Sequence, residues 1–377
     1  MGVRKIGVEE ELMLIDPESG TLRPVSHLAL AAQRARVGSA AEETEFGARS
    51  GLEQELFLQQ IETGTRPLES ADDLRADLVG CRREVATSAA SVGAALIAVG
   101  SPVLRTADEQ VTPKPRYEHI IEEFGEVGRQ GSVCGMHVHV DVADDEEGVV
   151  VIDGLRPWLP VLRAMSANSP YWHGRDTGYA SWRSQVWGRW PSAGPSEPFG
   201  DPAGYRAATE ALVESGAAVD LGGLYFDARL SQSYPTVEVR VFDATTDPED
   251  VVLLALLTRG LVSTIAAPRW RDRDRAMPWR HEMLRAAHWR ASRFGLTEDL
   301  LDPLTARRES SQTVVVKLVG QVGDALRETG DLDRVMRGVE ALAARGTGAS
   351  RQRAVGERAG VRAVVTDLRE RFDASLG

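Results

Sequence analysis

Residues 7–16 read GVEEELMLID, and this stretch constrains the fold more than any other in the chain. Glu9, Glu10 and Glu11 stand in succession inside a segment whose remaining residues suit a buried strand. Carboxylates are almost never fully buried unless something pairs with them, so a core containing this strand must supply a positive partner. Side chains on a strand alternate between faces, which sends Glu9 and Glu11 one way and Glu10 the other. Two carboxylates about 7 Å apart on one face can share a hard cation or bracket two of them. Glu10 then needs a separate partner or water. The competing reading is a charged edge strand whose glutamates are solvated.

The same two-residue spacing returns in CGMHVHV, residues 134–140, inside a strand expected over 132–142. His137 and His139 share a face there, flanked by Val138 and Val140. Alternating histidines among apolar neighbours suit metal ligation or phosphate hydrogen bonding better than packing, although the pattern alone names no metal. In TVEVRVFD, residues 236–243, Glu238 and Arg240 share one face while Val237, Val239 and Val241 share the other. That pair reads either as an ion pair or as a phosphate-binding arginine beside a metal-holding carboxylate. In QELFLQQIET, residues 54–63, read as one strand, Gln60 and Glu62 share a face whereas Glu55 and Glu62 do not.

A long ordered loop is expected over residues 168–195, where Asn168, Arg175, Asp176, Arg183 and Arg189 are interleaved with Trp172, Trp182, Trp187 and Trp190. Long ordered loops are usually functional. In a basic protein this mixture would suggest nucleic acid. Here 44 Lys and Arg face 56 Asp and Glu, a net charge of −12. That balance turns the loop toward a closed pocket for a small anionic ligand, with a tryptophan packing cluster as the alternative, and argues against nucleic acid and anionic membrane as partners. Arg290 and Arg293 in HWRASRFGL read as a helix face or a phosphate contact. Cys81 and Cys134 form neither a disulfide framework nor a zinc pattern. The apolar run VVLLALL at 251–257 is too short to span a bilayer, and no signal-peptide run opens the chain, so a cytoplasmic protein is expected. GxSxG, GxGxxG and GxxxxGK[ST] are all absent, so a nucleotide enzyme of this sequence would need another way to hold phosphate. Acidic strands and arginines with magnesium between them would serve.

Further strands are expected over 3–16 and 93–100, and helices from Leu68 to about Gly93, over 147–168, near 203–217 and repeatedly from Pro248 to Phe372, the last over 354–372. Ser70 and Asp72 are candidate caps. Strands in the first two-thirds and helices at the end predict an α+β fold. With no linker or repeat in the sequence, one domain over 1–377 is expected, its helical C-terminal part covering about 248–377.

Five segments in order, GVEEELMLID, QIETGTRP, CGMHVHV, SANSPYWHGRDTGYASWR and YPTVEVRVFD, resemble the carboxylate–amine ligases of the glutamate–cysteine ligase type 2 family, over about residues 6–300. CGMHVH and VEVRVFD are also similar to segments of the wider glutamine synthetase superfamily. The resemblance implies a curved, mainly antiparallel sheet forming a funnel backed by helices, with ATP entering one mouth, amino-acid substrates the other, and Mg²⁺ between. It implies Glu9, Glu11, Glu238 and His137 as metal ligands, His139 as a nucleotide contact, Arg240 toward the transferred phosphate, and Arg183 toward the phosphate or a substrate carboxylate. Where many relatives carry Glu, this chain has Gln60, which shifts the ligand from that strand to Glu62. DARLSQS replaces the more usual DxRPSxH, so that Leu230 and Ser233 stand for Pro and His, and Asp141 replaces a Gly. These departures bear on the amine substrate more than on the ATP chemistry. The implied activity is two-step ligation of glutamate, or a similar acid, to an amine such as that of cysteine, and the implied assembly is a homodimer. The rival readings are a ligase of another acid and amine, a metal-dependent hydrolase, and a non-catalytic nucleotide-binding protein.

Overall fold

A computed structural model describes residues 2–37, 52–105, 109–271 and 279–377. At its centre is β1, Ile6–Ile15, the strand that holds the three glutamates. It pairs antiparallel with β3 (Gln60–Gly64), β4 (Ala95–Ile97) and β5 (Gly135–Asp141), and β2 (Glu53–Gln54) extends the β3 side. A hairpin of β6 (Tyr171–Trp172) and β7 (Arg175–Asp176) stands apart from the sheet. Beyond β5 come β9 (Thr236–Asp243) and then β8 (Ala228–Leu230), giving the order β2-β3-β1-β5-β9-β8, with β4 beside β1. The fold is the expected α+β arrangement, an open antiparallel sheet with helices against it.

Alternation assigns the faces. Val8, Val138, Val140, Val237 and Val239 are buried in one apolar core with the helix Pro248–Ala266. Nearly every side chain of that helix is buried, because further helices over Asp145–Leu155, Ser311–Thr329 and Leu332–Arg345 pack against it. Its continuous apolar run is therefore the signature of a central core helix. Among the described residues no helix is long and apolar enough to cross a membrane.

Glu10 points to this apolar side and is completely buried. Its partner is Arg82 of the helix Ala71–Ser91, with Nε 2.8 Å from Oε2 and Nη2 2.6 Å from Oε1. Ser70 caps that helix as expected, accepting from the Asp73 amide.

Three expected elements are divided by local chemistry. The segment 54–63 is not one strand. Leu56 and Leu58 bond to Thr112 and Gln110, Phe57 is buried, and regular pairing resumes only at Gln60. The helix expected over 147–168 becomes Asp145–Leu155 and Leu159–Ser166, interrupted at Pro157, where proline withholds a backbone donor, while Pro160 sits in the first turn of the second helix, where no donor is needed. The last helix becomes Gly348–Ala359 and Val361–Ala374, because Gly360 at φ +83° adopts a conformation that ends the first of them.

Candidate active site

The face opposite the valine core opens into a cavity of about 290 Å³. Strand register assembles its acidic part. Glu11 lies opposite Glu62, Glu9 opposite His137, and His139 opposite Glu238. Directly opposed residues on one face are close enough for their side chains to meet. Glu9, His137 and Glu238 each offer a ligand atom, all within 4.8 Å of one another. His137 Nδ1 lies 3.2 Å from Glu9 Oε2 and 3.8 Å from Glu238 Oε1, and His139 Nε2 lies 3.3 Å from Glu9 Oε1. Thr236 Oγ1, 3.0 Å from His139 Nδ1, orients that second ring.

Between Met136 and Val138 the register with β9 shifts, so that Arg240 and Val241 together face His137. A bulge of this kind re-aims a side chain. The Arg240 guanidinium reaches Glu238 on its own strand and lies 3.4 Å from His137 Nδ1. Arg229 from β8 holds Glu238 from the other side, with Nε at 2.7 Å and Nη2 at 3.3 Å. Burial would raise the Glu238 carboxyl, but the two guanidiniums outweigh it and hold the group far below the usual carboxylate range. Glu9 behaves likewise: burial opposes ionisation, yet His139 and His137 hold its carboxyl well below the ordinary value. His139 is raised in turn, because Glu9 outweighs its burial.

A second acidic group consists of Glu11, Glu55 and Glu62, also within 4.8 Å. Glu11 accepts from the Gly135 amide, but no Lys or Arg among the described residues forms an ion pair with Glu55 or Glu62. Burial, and then the neighbouring Glu55, push the Glu62 carboxyl well above its ordinary value. Glu11, Glu55 and Glu62, beside a buried histidine whose Nε2 has no hydrogen-bond partner among the described residues, form a donor set for hard divalent cations of the Mg²⁺ kind.

The family model for glutamate–cysteine ligase family 2 matches residues 5–367, nearly the whole chain. The chain belongs to that family. A relative from Nocardioides sp., provisionally named glutamate–cysteine ligase 2-1, is 50% identical over 99% of this chain and 97% of its own length. One from Streptomyces coelicolor, provisionally named glutamate–cysteine ligase 2, is 44% identical over 99% of this chain and all of its own. The fold is similar to a solved glutamate–cysteine ligase from Francisella tularensis in complex with AMP, with a TM-score of 0.71 at 12% identity, covering 100% of this chain and 89% of that one. It is also similar to a bifunctional glutathione synthetase from Pasteurella multocida, with a TM-score of 0.68 at 14% identity, covering 99% of this chain and 52% of that one. The chain is an enzyme, an ATP-dependent ligase.

In this member of glutamate–cysteine ligase family 2, Glu9, Glu11, Glu62, His137, His139, Glu238 and Arg240 all line the one cavity. Arg183 does not. It is fully buried, packed so closely on Gly135 that a Cβ there would lie 2.2 Å from its Nη2, with its guanidinium 5.5 Å from the Trp187 ring and 3.4 Å from the Arg240 carbonyl. Arg183 thus touches the backbone behind Arg240 instead of facing the cavity. Glu55 was set apart from Glu62 by strand periodicity, and the break at 55–59 defeats that inference by letting Glu55 turn inward. Trp187 and Trp190 line the cavity, whereas Asn168 is spent on backbone carbonyls and Asp176 on Arg353. Arg290 and Arg293 stack on Phe294 and lie outside the cavity. Arg229, Tyr117 and Tyr225, none of them singled out by the motifs, complete its walls.

Proposed function

We propose that this ligase joins a carboxylic acid of the glutamate type to an amine through an acyl phosphate, using ATP and Mg²⁺. The observation that carries the reading is the pair of acidic groups, Glu9–His137–Glu238 and Glu11–Glu55–Glu62, lying side by side with Arg240 at their edge. The names of the relatives and the AMP bound by the Francisella enzyme support it. Glu9, His137 and Glu238 would hold one Mg²⁺, and Glu11, Glu55 and Glu62 another. Held by these residues, Mg²⁺ would supply positive charge against the phosphoryl oxygens. His139 contacts the nucleotide, and Arg240 faces the phosphoryl group in transfer. Arg183 serves as a positioning residue for Arg240 through the β9 backbone. A homodimer acting in the cytoplasm belongs to the same proposal.

In the first step a carboxylate oxygen of the acid attacks the γ-phosphorus, the bond to the β-phosphate oxygen breaks, and ADP leaves. In the second, the neutral amine nitrogen attacks the acyl carbon, the carbon–oxygen bond to phosphate breaks, the nitrogen gives its proton to the departing phosphate or to solvent, and an amide forms. No protein nucleophile is required. The chain's contribution is to position the two reactants and to place Arg240 where charge develops. Because DARLSQS departs from the more usual pattern, the acid and amine need not be glutamate and cysteine, and the same mechanism accommodates other pairs.

The test is an ADP-release screen of acid and amine pairs with Mg²⁺, followed by mass spectrometry of the product. ADP formed only when both are present, with a new amide, is expected. ATP turnover independent of the amine, or no turnover with any pair, contradicts the proposal.

The second acidic group makes a separate prediction. Because the Glu62 carboxyl is raised, the folded chain binds its proton more tightly than the unfolded chain does. Without metal, stability therefore falls as pH rises from the ordinary glutamate range through the raised value. Glu62→Gln removes one of three repelling charges. In chelator at pH 8 its Tm should exceed that of the wild type, and added Mg²⁺ should raise the wild-type Tm by more than the variant's. Equal Tm values in both conditions would contradict metal binding at this group.

A further inference from the structure

The cavity has two unlike sides. One is the acidic array, which ATP, metal and the acid's carboxylate account for. The other is a wall of rings that the phosphoryl chemistry does not use. Trp187 and Tyr225 have centroids 4.6 Å apart, Trp190 and Tyr225 5.4 Å, and Trp187 and Trp190 6.3 Å. Tyr117 also lines this cavity, and Tyr117, Trp187 and Tyr225 are each only partly buried. Trp190 and Tyr225 meet edge to face and Trp187 lies tilted against both, and rings packed on one another in this way present a largely apolar surface whose covering is favourable.

His139, the nucleotide contact in this reading, also lines a second cleft with Gly7, Val8, Pro67 and Pro235, which seats the ATP base there and leaves two classes of ligand for the rings, cations and apolar groups. Cations are already supplied by the protein. Arg183 lies 5.5 Å from the Trp187 ring, and Lys114 and Arg116 lie 5.2 Å and 5.9 Å from that of Tyr117. A further cation would meet like charge at those rings, whereas an apolar group would not. Leu56, Ile120 and Val133 add aliphatic surface to the same cavity.

We infer that the amine joined by this enzyme carries an apolar side group of branched-alkyl or aryl size, seated on Trp187 and Tyr225. The inference rests on the ligase reading and narrows its second substrate to an apolar amino acid or a simple arylalkyl amine. A small polar amine would leave the ring wall uncovered.

Tryptophan fluorescence of the whole protein reads the wall directly. With Mg²⁺ and a non-hydrolysable ATP analogue, phenylalanine and phenethylamine should bind about tenfold or more tightly than alanine or cysteine and change the emission. Trp187→Phe keeps a ring and should lose much of that change, and Trp187→Ala should narrow the ratio of apolar-amine to alanine affinity. A response to phenylalanine alone assigns an amino acid, and a response to both assigns the side group as sufficient. Binding of the apolar probes no tighter than that of alanine overturns the inference. Failure of the ligase reading is distinguishable: ADP release with cysteine or alanine but not with apolar amines sinks only this inference, whereas no ADP with any amine sinks the reading beneath it.

Discussion

Arg240→Ala should lower amide formation by about 10²–10³-fold while the protein stays folded. The guanidinium lines the cavity beside Glu238 and His137, and its Nε is buried with no hydrogen-bond partner among the described residues. A preorganised donor of that kind costs no reorganisation when charge develops on a transferring phosphoryl group. The fold should tolerate the loss because Glu238 keeps Arg229 at 2.7 Å and 3.3 Å, so the buried carboxylate is not left without a counter-charge. Arg240→Lys should recover only part of the rate, since a point charge replaces a planar fork. Glu11→Gln is a parallel case. The amide oxygen can still accept from Gly135, so the strand contact survives while one charge leaves the second acidic group. Steady-state rates together with thermal unfolding check both variants. Near-normal turnover in folded Arg240→Ala and Glu11→Gln would remove the basis of the proposed site.

The other large effect is on stability, on the opposite face of the same strand. Glu10→Leu should lower the unfolding free energy by about 3–5 kcal/mol, because it strands a buried guanidinium. Arg82 donates through Nε and Nη2 to Glu10 and through Nη1 and Nη2 to the carbonyls of Thr246 and Thr245, and its guanidinium lies 5.4 Å from the Phe372 ring. The two carbonyls satisfy donors but do not cancel the charge. Replacing both members, Glu10→Leu with Arg82→Met, should be less damaging than the single change, since a buried ion pair exchanged for apolar groups is often nearly neutral. Urea unfolding of the three proteins decides it. A single variant as stable as the wild type, or a double variant no better than the single, would mean that this pair is not what holds the glutamate strand in the core.

Alternation in GVEEELMLID was enough to separate Glu9 and Glu11 from Glu10 and to require a partner for the latter. It could not name Arg82, because that residue comes from a helix 72 positions away and nothing local marks it. The motifs also brought His137, His139, Glu238 and Arg240 to one face, since strand pairing preserves period two. Glu55 was hidden for the converse reason. Periodicity holds only where a strand is regular, and Phe57 and Leu58 bury themselves by leaving the ladder just after it. Arg183 shows a different limit. A motif fixes where a residue stands in the chain but not whether its side chain ends in the cavity or behind it. The ring wall was legible only in part: the loop 168–195 singled out Trp187 and Trp190, but Tyr117 and Tyr225 reach the same cavity only through tertiary packing.

The central claim is transfer of an oxygen from the acid to phosphate, and isotope labelling tests it most directly. With the acid carrying ¹⁸O in both oxygens of its reacting carboxylate, an amine, ATP and Mg²⁺, the mechanism predicts one ¹⁸O in each phosphate released, formed together with the amide. Phosphate that draws its new oxygen from solvent water, with no label from the acid, would contradict it.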